Sequence, residues 1–407
     1  MTESTIGDRL RELRRRRGMT QEELAEAAGV SLGVIKKLER GGNARMETLH
    51  DIARALGVVT VTFAAPTSPE PQEEAADELV LADMRSAISP PIGLGGRRIY
   101  GTADGDHPDL ARLRRAVKTV AAAYHADRYD DLARIIPALV RSAHYHVDVH
   151  DQGDENRVAL HARADVLSLA GRYLIQVRAH DLALTALHAS LQDATAIGDV
   201  PLAAAAISAQ AHAMLRQGRL SEVEQLCADT ASEIEPRMSS AEPDEISAWG
   251  WMLMRASAAA ARNNRPQEAT EYLKLAAAGA ARLDDEHPTV DYRTFGPVTV
   301  SLKRAENAVI GGKPDQTIEV ASHLPGDLDH TMPEEWQRHR LDHALALVRV
   351  GSPDPATDVL DELRRRKPHW LRYQQYARDA VREILQTRPR MPSEKQRALA
   401  EFMNVEG

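Results

Sequence analysis

TQEELAEAAGVSLGVIKKLERG, residues 20–41, decides how this chain is read. Thr20 precedes Gln21, Glu22 and Glu23. That is a capping box: the Thr hydroxyl takes the amide three residues on, and the Glu there takes the Thr amide. A helix therefore starts at Gln21, and it stops at Gly29. A turn at that point needs positive φ, which glycine adopts without a Cβ penalty. Ser31 then caps a second helix, SLGVIKKLER, which Gly41 and Gly42 end. Val30, Ile35 and Leu38 are spaced to fill a core, and Ala25 is small enough for two helices to cross closely. Ser31, Leu32, Gly33, Lys36 and Lys37 face outward.

Working outward, Ile6, Leu10 and Leu13 predict a helix over Ile6 to Arg17, ended by Gly18. Met46 to Leu56 reads as a fourth helix, with Leu49, Ile52, Ala53 and Leu56 on one stripe. Val58 to Phe63 is β-branched and suggests a short strand or extended exit. PTSPEPQEE, from Pro66, is Pro-rich and acidic, as a solvated linker is. A short helix is expected near Asp77 to Ser86, before SPPIGLGGRR breaks regular structure. The glycines of that stretch read as a hinge. A phosphate loop would need a preceding strand and a Lys-Ser/Thr ending. The expected divisions are 1–65, a linker over 66–107, and 108–407.

From Asp109 onward the pattern is helical. Ala179-His180-Asp181, Gln217-Gly218-Arg219, Asn264-Arg265-Pro266, Gly312-Lys313-Pro314 and Gly351-Ser352-Pro353 each close one helix and open another. Such hairpins bury their apolar faces only by stacking on one another. The expected class is all-α: an N-terminal unit of four or five helices, then a C-terminal α-solenoid.

The chain has 407 residues, 43% hydrophobic and 4% aromatic, with a net charge of −9. The head, residues 1–57, carries +2 and the remainder −11. A basic head on an acidic body suits a nucleic-acid module joined to a solvated domain. Cys227 is the single cysteine, so an intrachain disulfide is excluded. No apolar run reaches the length of about 20 residues that a membrane helix needs. A cytoplasmic location is expected.

Residues 6–57 resemble the XRE family, the Cro and phage-repressor type of helix-turn-helix. The likeness rests on TQEELAEAAGVS, on IKKLERG and on METLHDIARALGV. It implies binding to double-stranded DNA, with the helix from Ser31 in the major groove. It further implies an ion pair between Arg14 and Glu39, and a phosphate anchor at Gln21. Lys36 and Lys37 would donate to phosphate or to guanine. Ser31, Leu32 and Gly33 would approach the bases, Leu32 by apolar contact and Gly33 by its backbone. Asn43 and Arg45 would touch phosphates. The run Arg14 to Arg17 reads as a solvated cluster partly facing DNA. A homodimer on two half-sites is expected.

The remaining array resembles tetratricopeptide repeats, with landmarks about 40–48 residues apart rather than about 34. A head of this type on such an array is similar to the peptide-sensing RRNPP regulators and to actinomycete regulators of the same layout. That implies a transcription regulator whose body dimerises or takes an effector, a peptide or a small molecule. Candidate groove residues are Gln210, Arg216, Arg255, Arg304, Asn307 and Arg340, polar positions on otherwise apolar helices. Trp249 and Trp251 fit either a pocket wall or the core. His146 and His150 share a helix face, yet HExxH and cysteine partners are missing, so the reading is a helix-end cluster and not a metal site. No cofactor, metal or catalytic group is expected, and the chain reads as a non-enzyme. The alternative is a protein-interaction scaffold whose head only localises it.

Overall fold

The computed structural model describes residues 6–17, 19–42, 44, 46–56, 74–96, 98–99, 108–324, 328, 333–386 and 392–405. The expected strand at Val58 to Phe63 lies outside these residues, as do Asn43 and Arg45. Among them the fold is helical, apart from one two-stranded hairpin and one isolated bridge between Ile92 and Arg98.

The head contains α1 (Ile6–Arg16), α2 (Gln21–Ala27), α3 (Leu32–Glu39) and α4 (Met46–Ala55). Thr20 and Glu23 form the reciprocal capping box. Gly29 has φ +65° and lets the chain turn from α2 into α3. Leu10, Leu24, Ile35, Leu38, Ile52 and Leu56 are sealed from solvent and make one core. Burying a side chain of this size contributes about 1.5–3 kcal/mol. The core therefore fixes how α3 is held.

The body runs α5 (Glu74–Ile88), α6 (Leu110–His125), α7 (Tyr129–Val149), α8 (Gly153–Gln176), α9 (His180–Ala196), α10 (Val200–Arg216), α11 (Leu220–Glu233), α12 (Pro243–Arg262), α13 (Pro266–Ala280), α14 (Pro297–Ile310) and α15 (Pro314–Ser322). Further helices are Pro333–Arg349, Pro353–Arg366, Pro368–Arg372, Gln375–Gln386 and Glu394–Phe402. Packing is mostly between chain neighbours, α7 on α8, α8 on α9, α9 on α10, α11 on α12 and α12 on α13. That is the contact pattern of stacked hairpins.

One turn recurs. After α10, Gly218 takes φ +77° and the Arg219 amide donates to Met214 O at 3.0 Å. After α14, the Lys313 amide donates to Ala308 O at 2.8 Å, and after Arg349 the Ser352 amide donates to Leu347 O at 2.9 Å. Arg178 and Asn264 occupy the same left-handed position without being glycine. Each is a Schellman closure, which satisfies carbonyls that a helix end otherwise leaves open. Pro266, Pro314 and Pro353 then open the next helix, where a missing amide costs nothing. The recurring sequence landmarks are these closures.

In the stretch expected as a linker, α5 packs on α7. Met84, Ala87 and Ile88 are buried in the main body core. Asp83 pairs with Arg141, and His144 Nε2 lies 3.2 Å from Ala87 O. Head and body meet where Asn264 Nδ2 donates to Asp51 Oδ1 at 3.0 Å.

Candidate nucleic-acid interface and effector cavity

The outward side of α3 is built by what its inward side satisfies. Ile35, Leu38 and Glu39 are buried. Arg14 Nε donates to Glu39 Oε1 at 2.7 Å, and Arg14 Nη2 to Oε2 at 3.2 Å. Burial acts to raise the Glu39 pKa, but hydrogen bonds from Arg14 and Gln21 outweigh it and hold the carboxyl below its ordinary value. The opposite side of the helix is left to solvent. Ser31, Gly33, Lys37 and Arg40 are exposed, and Leu32 and Lys36 half-buried. No carboxylate lies within ion-pair distance of Lys36 or Lys37 among the described residues.

Gln21 is differently placed from its expected role. Its Nε2 donates to Glu39 Oε2 at 2.6 Å, so in this state it completes the Arg14–Glu39 network. Its position at the first turn of α2 is that of an anion-facing helix start.

The sequence profile of the family described as Helix-turn-helix matches residues 10–63. The HTH-type transcriptional regulator y4dJ of Sinorhizobium fredii is 40% identical over 67 residues, which cover 87% of that protein and 16% of this chain. The chain belongs to the XRE-type helix-turn-helix regulators. Among solved structures, Bacillus thuringiensis PlcR in complex with the peptide PapR7 and DNA is 12% identical. It has a TM-score of 0.35 and covers 88% of this chain and 99% of that one. A PrgX/iCF10 complex is also 12% identical, with a TM-score of 0.28, and covers 98% of this chain and 96% of that one.

The body of this helix-turn-helix regulator contains a cavity on the side to which α8, α10, α12, α14 and the helix Pro333–Arg349 all contribute. The space open to water centres is about 80 Å³. Its wall is dominated by charge. Arg172 Nη2 meets Glu334 Oε1 at 2.9 Å, and His125 reaches the same oxygen at 3.0 Å. Glu306 is shared by Arg262, at 2.7 Å, and by Lys303. Burial acts to raise Glu334 and Glu306, but these cations hold both far below the usual carboxylate range.

A two-stranded hairpin, β1 (His287–Pro288) and β2 (Thr294–Phe295), delivers Asp291 and Arg293 from its loop. Arg293 Nε donates to Asp291 Oδ2 at 2.7 Å, and its guanidinium lies 3.8 Å from the Trp251 ring centre. Burial tends to raise Asp291, but Arg293 and Arg172 bring it down to about 2.

Of the groove residues expected from sequence, Arg255 lines the cavity. Arg216 stands behind the lining residue His212, with Nε 3.4 Å from His212 Nε2. Gln210 is buried two residues before it, and its Nε2 has no partner. Arg304 is exposed on α14, Asn307 donates to Ser257 Oγ at 2.7 Å, and Arg340 pairs with Glu362 at 2.5 Å; none of the three lines the cavity. Trp251 is both wall and core, whereas Trp249 packs beside Gly279. Lys303, Glu306, Arg338 and Asp342 are lining residues that sequence reading did not select. The signal was there: adjacent helix positions differ by about 100°, and Lys303 and Arg338 lie one and two residues from the chosen Arg304 and Arg340.

The histidines His144, His146 and His150 are used within the protein. His146 accepts the Asp109 amide at 3.1 Å, and His150 meets Glu155 at 2.9 Å. No group suited to hold a metal ion occurs among the described residues. Cys227 is buried, and burial pushes its thiol up to about 12. No described helix is long and apolar enough to cross a membrane.

Proposed function

We propose that this chain is a sequence-specific DNA-binding transcription regulator that acts as a homodimer and takes an effector in the cavity of its helical body. The observation that carries the DNA reading is the solvent side of α3. It offers two lysines without acidic partners among the described residues, beside a glycine that permits close backbone approach. A single module of this size contacts few base pairs, so specific affinity calls for two copies on two half-sites about 34 Å apart.

The effector reading rests on the cavity. Its charged side chains come from four helices and a hairpin loop, so a ligand that pairs with them changes how successive hairpins sit. The body stacks these hairpins on one another, and Asn264, in the turn after α12, touches Asp51 of the head. A ligand that prefers one arrangement of the body would shift the spacing of two heads.

The test is genome-wide mapping of bound sites, followed by binding of purified full-length protein to a recovered site with and without cell extract. A palindromic site, bound more tightly or more weakly with extract, is expected. Affinity no higher than for random DNA at moderate salt contradicts the reading. The scaffold alternative draws on Leu32 and Gly33, which lack hydrogen-bonding side chains. It requires a stoichiometric protein partner and unchanged target expression after Lys36→Ala and Lys37→Ala.

A further inference from the structure

The geometry points to an oxyanion, the phosphate or carboxylate head of a small ligand, as the group that occupies the cavity, held by Arg255 and Arg338 with His339. This rests on the reading of the cavity as an effector site and names the chemistry of its ligand.

The inference follows from which charges are left over. Arg172, Lys303 and Arg293 each have a carboxylate, as described above. Arg255 has none among the described residues: its Nε donates to Ser208 Oγ at 3.1 Å, and its guanidinium lies 5.3 Å from the Trp251 ring centre. Arg338 lines the same space with no carboxylate within ion-pair distance among the described residues. Arg216, from behind His212, adds a third cation with no carboxylate partner among the described residues.

The strain of this arrangement is legible in the titration of its members. Burial, then the charges of Arg293 and Arg338, pull Arg255 down to about 9. Burial, then Arg338, Arg255, Arg216 and Arg293, pull His212 well below its ordinary value. Guanidinium stays charged in proteins, so burial first and repulsion among these cations second both disfavour the site as it stands, and an anion would offset both.

An independent observation points the same way. His339 is 2% exposed, lines the cavity, and has no partner at either ring nitrogen. Burial, with His343 and Arg340, brings it down to about 3, so it is a neutral ring with one N–H to donate. A buried donor without an acceptor is costly unless something fills the space.

The acidic groups facing the cavity do not cancel this. Asp291, Glu306 and Glu334 are taken by cations. Glu335 and Asp342 have no cation within ion-pair distance among the described residues. Burial, with the charge of Glu334 for the first and Glu306 for the second, moves both upward toward their protonated forms. A protonated carboxyl donates to an oxyanion rather than repelling it. The open space suits a head group: about 80 Å³ of centre positions corresponds to roughly half a dozen waters.

The experiment is thermal unfolding and calorimetric titration of the full-length protein with inorganic phosphate, with triglycine, with triglycine amide and with ethylenediamine. Phosphate or triglycine is expected to bind and raise Tm, the amide and the diamine to do neither. Phosphate alone assigns a phosphorylated ligand, and triglycine with loss on amidation assigns a carboxylate. Arg255→Gln and Arg338→Gln should each weaken that binding about tenfold or more, while Arg304→Gln leaves it unchanged.

The empty Arg338→Gln protein should be as stable as the parent or more so, because a repelling charge has gone. Saturable binding of ethylenediamine or triglycine amide, or anion binding that survives both arginine variants, overturns the assignment while leaving an effector cavity intact. Anion binding that leaves affinity for a mapped DNA site unchanged sinks the regulatory reading but not this one.

Discussion

Arg14 on α1 and Glu39 at the end of α3 are joined by two hydrogen bonds, at 2.7 and 3.2 Å, across 25 residues of sequence. Glu39 is almost wholly buried, and Gln21 supplies a third donor. The pair ties the helix that faces outward to the helix behind it.

Removing one partner of a buried pair leaves the other charge uncompensated, which costs about 3–5 kcal/mol. Glu39→Ala should destabilise the head by about that amount and lower DNA affinity through loss of the α3 orientation. Glu39 has a folded pKa below its unfolded value, so its contribution is complete above about 4.3 and is lost as pH falls through the folded value. The stability of the head, followed by circular dichroism in denaturant, should fall with pH through this range in the parent but not through this group in a Glu39→Gln variant, so the gap between the two should narrow in acid.

Gly33 is exposed at the start of α3, and a Cβ there meets only Ser31 Oγ at 3.8 Å. Gly33→Asp should therefore fold normally. Its carboxylate would face phosphate, and affinity for the mapped site should fall about tenfold or more. An unchanged unfolding temperature with lost binding is the expected pair of results.

Gly250 on α12 lies under the fully buried Phe295 ring, and a Cβ at that position would overlap it. Alanine favours helix by about 1 kcal/mol over glycine, but overpacking a core costs about 1–3 kcal/mol. Gly250→Ala should lower body stability and displace the hairpin that carries Arg293. Denaturant midpoints check the first, and anion binding the second.

Arg172 holds three elements together: α8, on which it sits, the hairpin loop through Asp291 O at 2.6 Å, and the helix Pro333–Arg349 through Glu334. Its guanidinium also lies 4.5 Å from the Tyr124 ring centre. Arg172→Met should destabilise the body by about 3 kcal/mol or more, because Glu334 keeps only His125. Chemical denaturation of the full chain measures it, and Glu334→Gln in the same background should recover part of the loss.

The head was legible because its signals are local. Thr20, Glu23, Gly29 and Gly41 mark caps and turns within a few residues of what they control. The hairpin turns were legible for the same reason, since Gly312-Lys313-Pro314 spells out a Schellman closure and a helix start. The cavity was not. Arg172 meets Asp291 across 119 residues, and Arg255 and Arg293 both donate to Ser208 Oγ from positions 47 and 85 residues away. The hairpin that brings Arg293 has strands of two residues each, too short for any periodicity. The packing of α5 on α7 depends likewise on contacts more than 50 residues apart, such as His144 with Ala87.

The most direct test of α3 as a groove-reading helix is fluorescence anisotropy of the full-length protein on a mapped site between 50 and 200 mM salt, about the range over which phosphate contacts show. Lys36→Ala and Lys37→Ala should each weaken binding and flatten the slope of log affinity against log salt by about 1. Parental affinity and slope in the double variant would contradict the account.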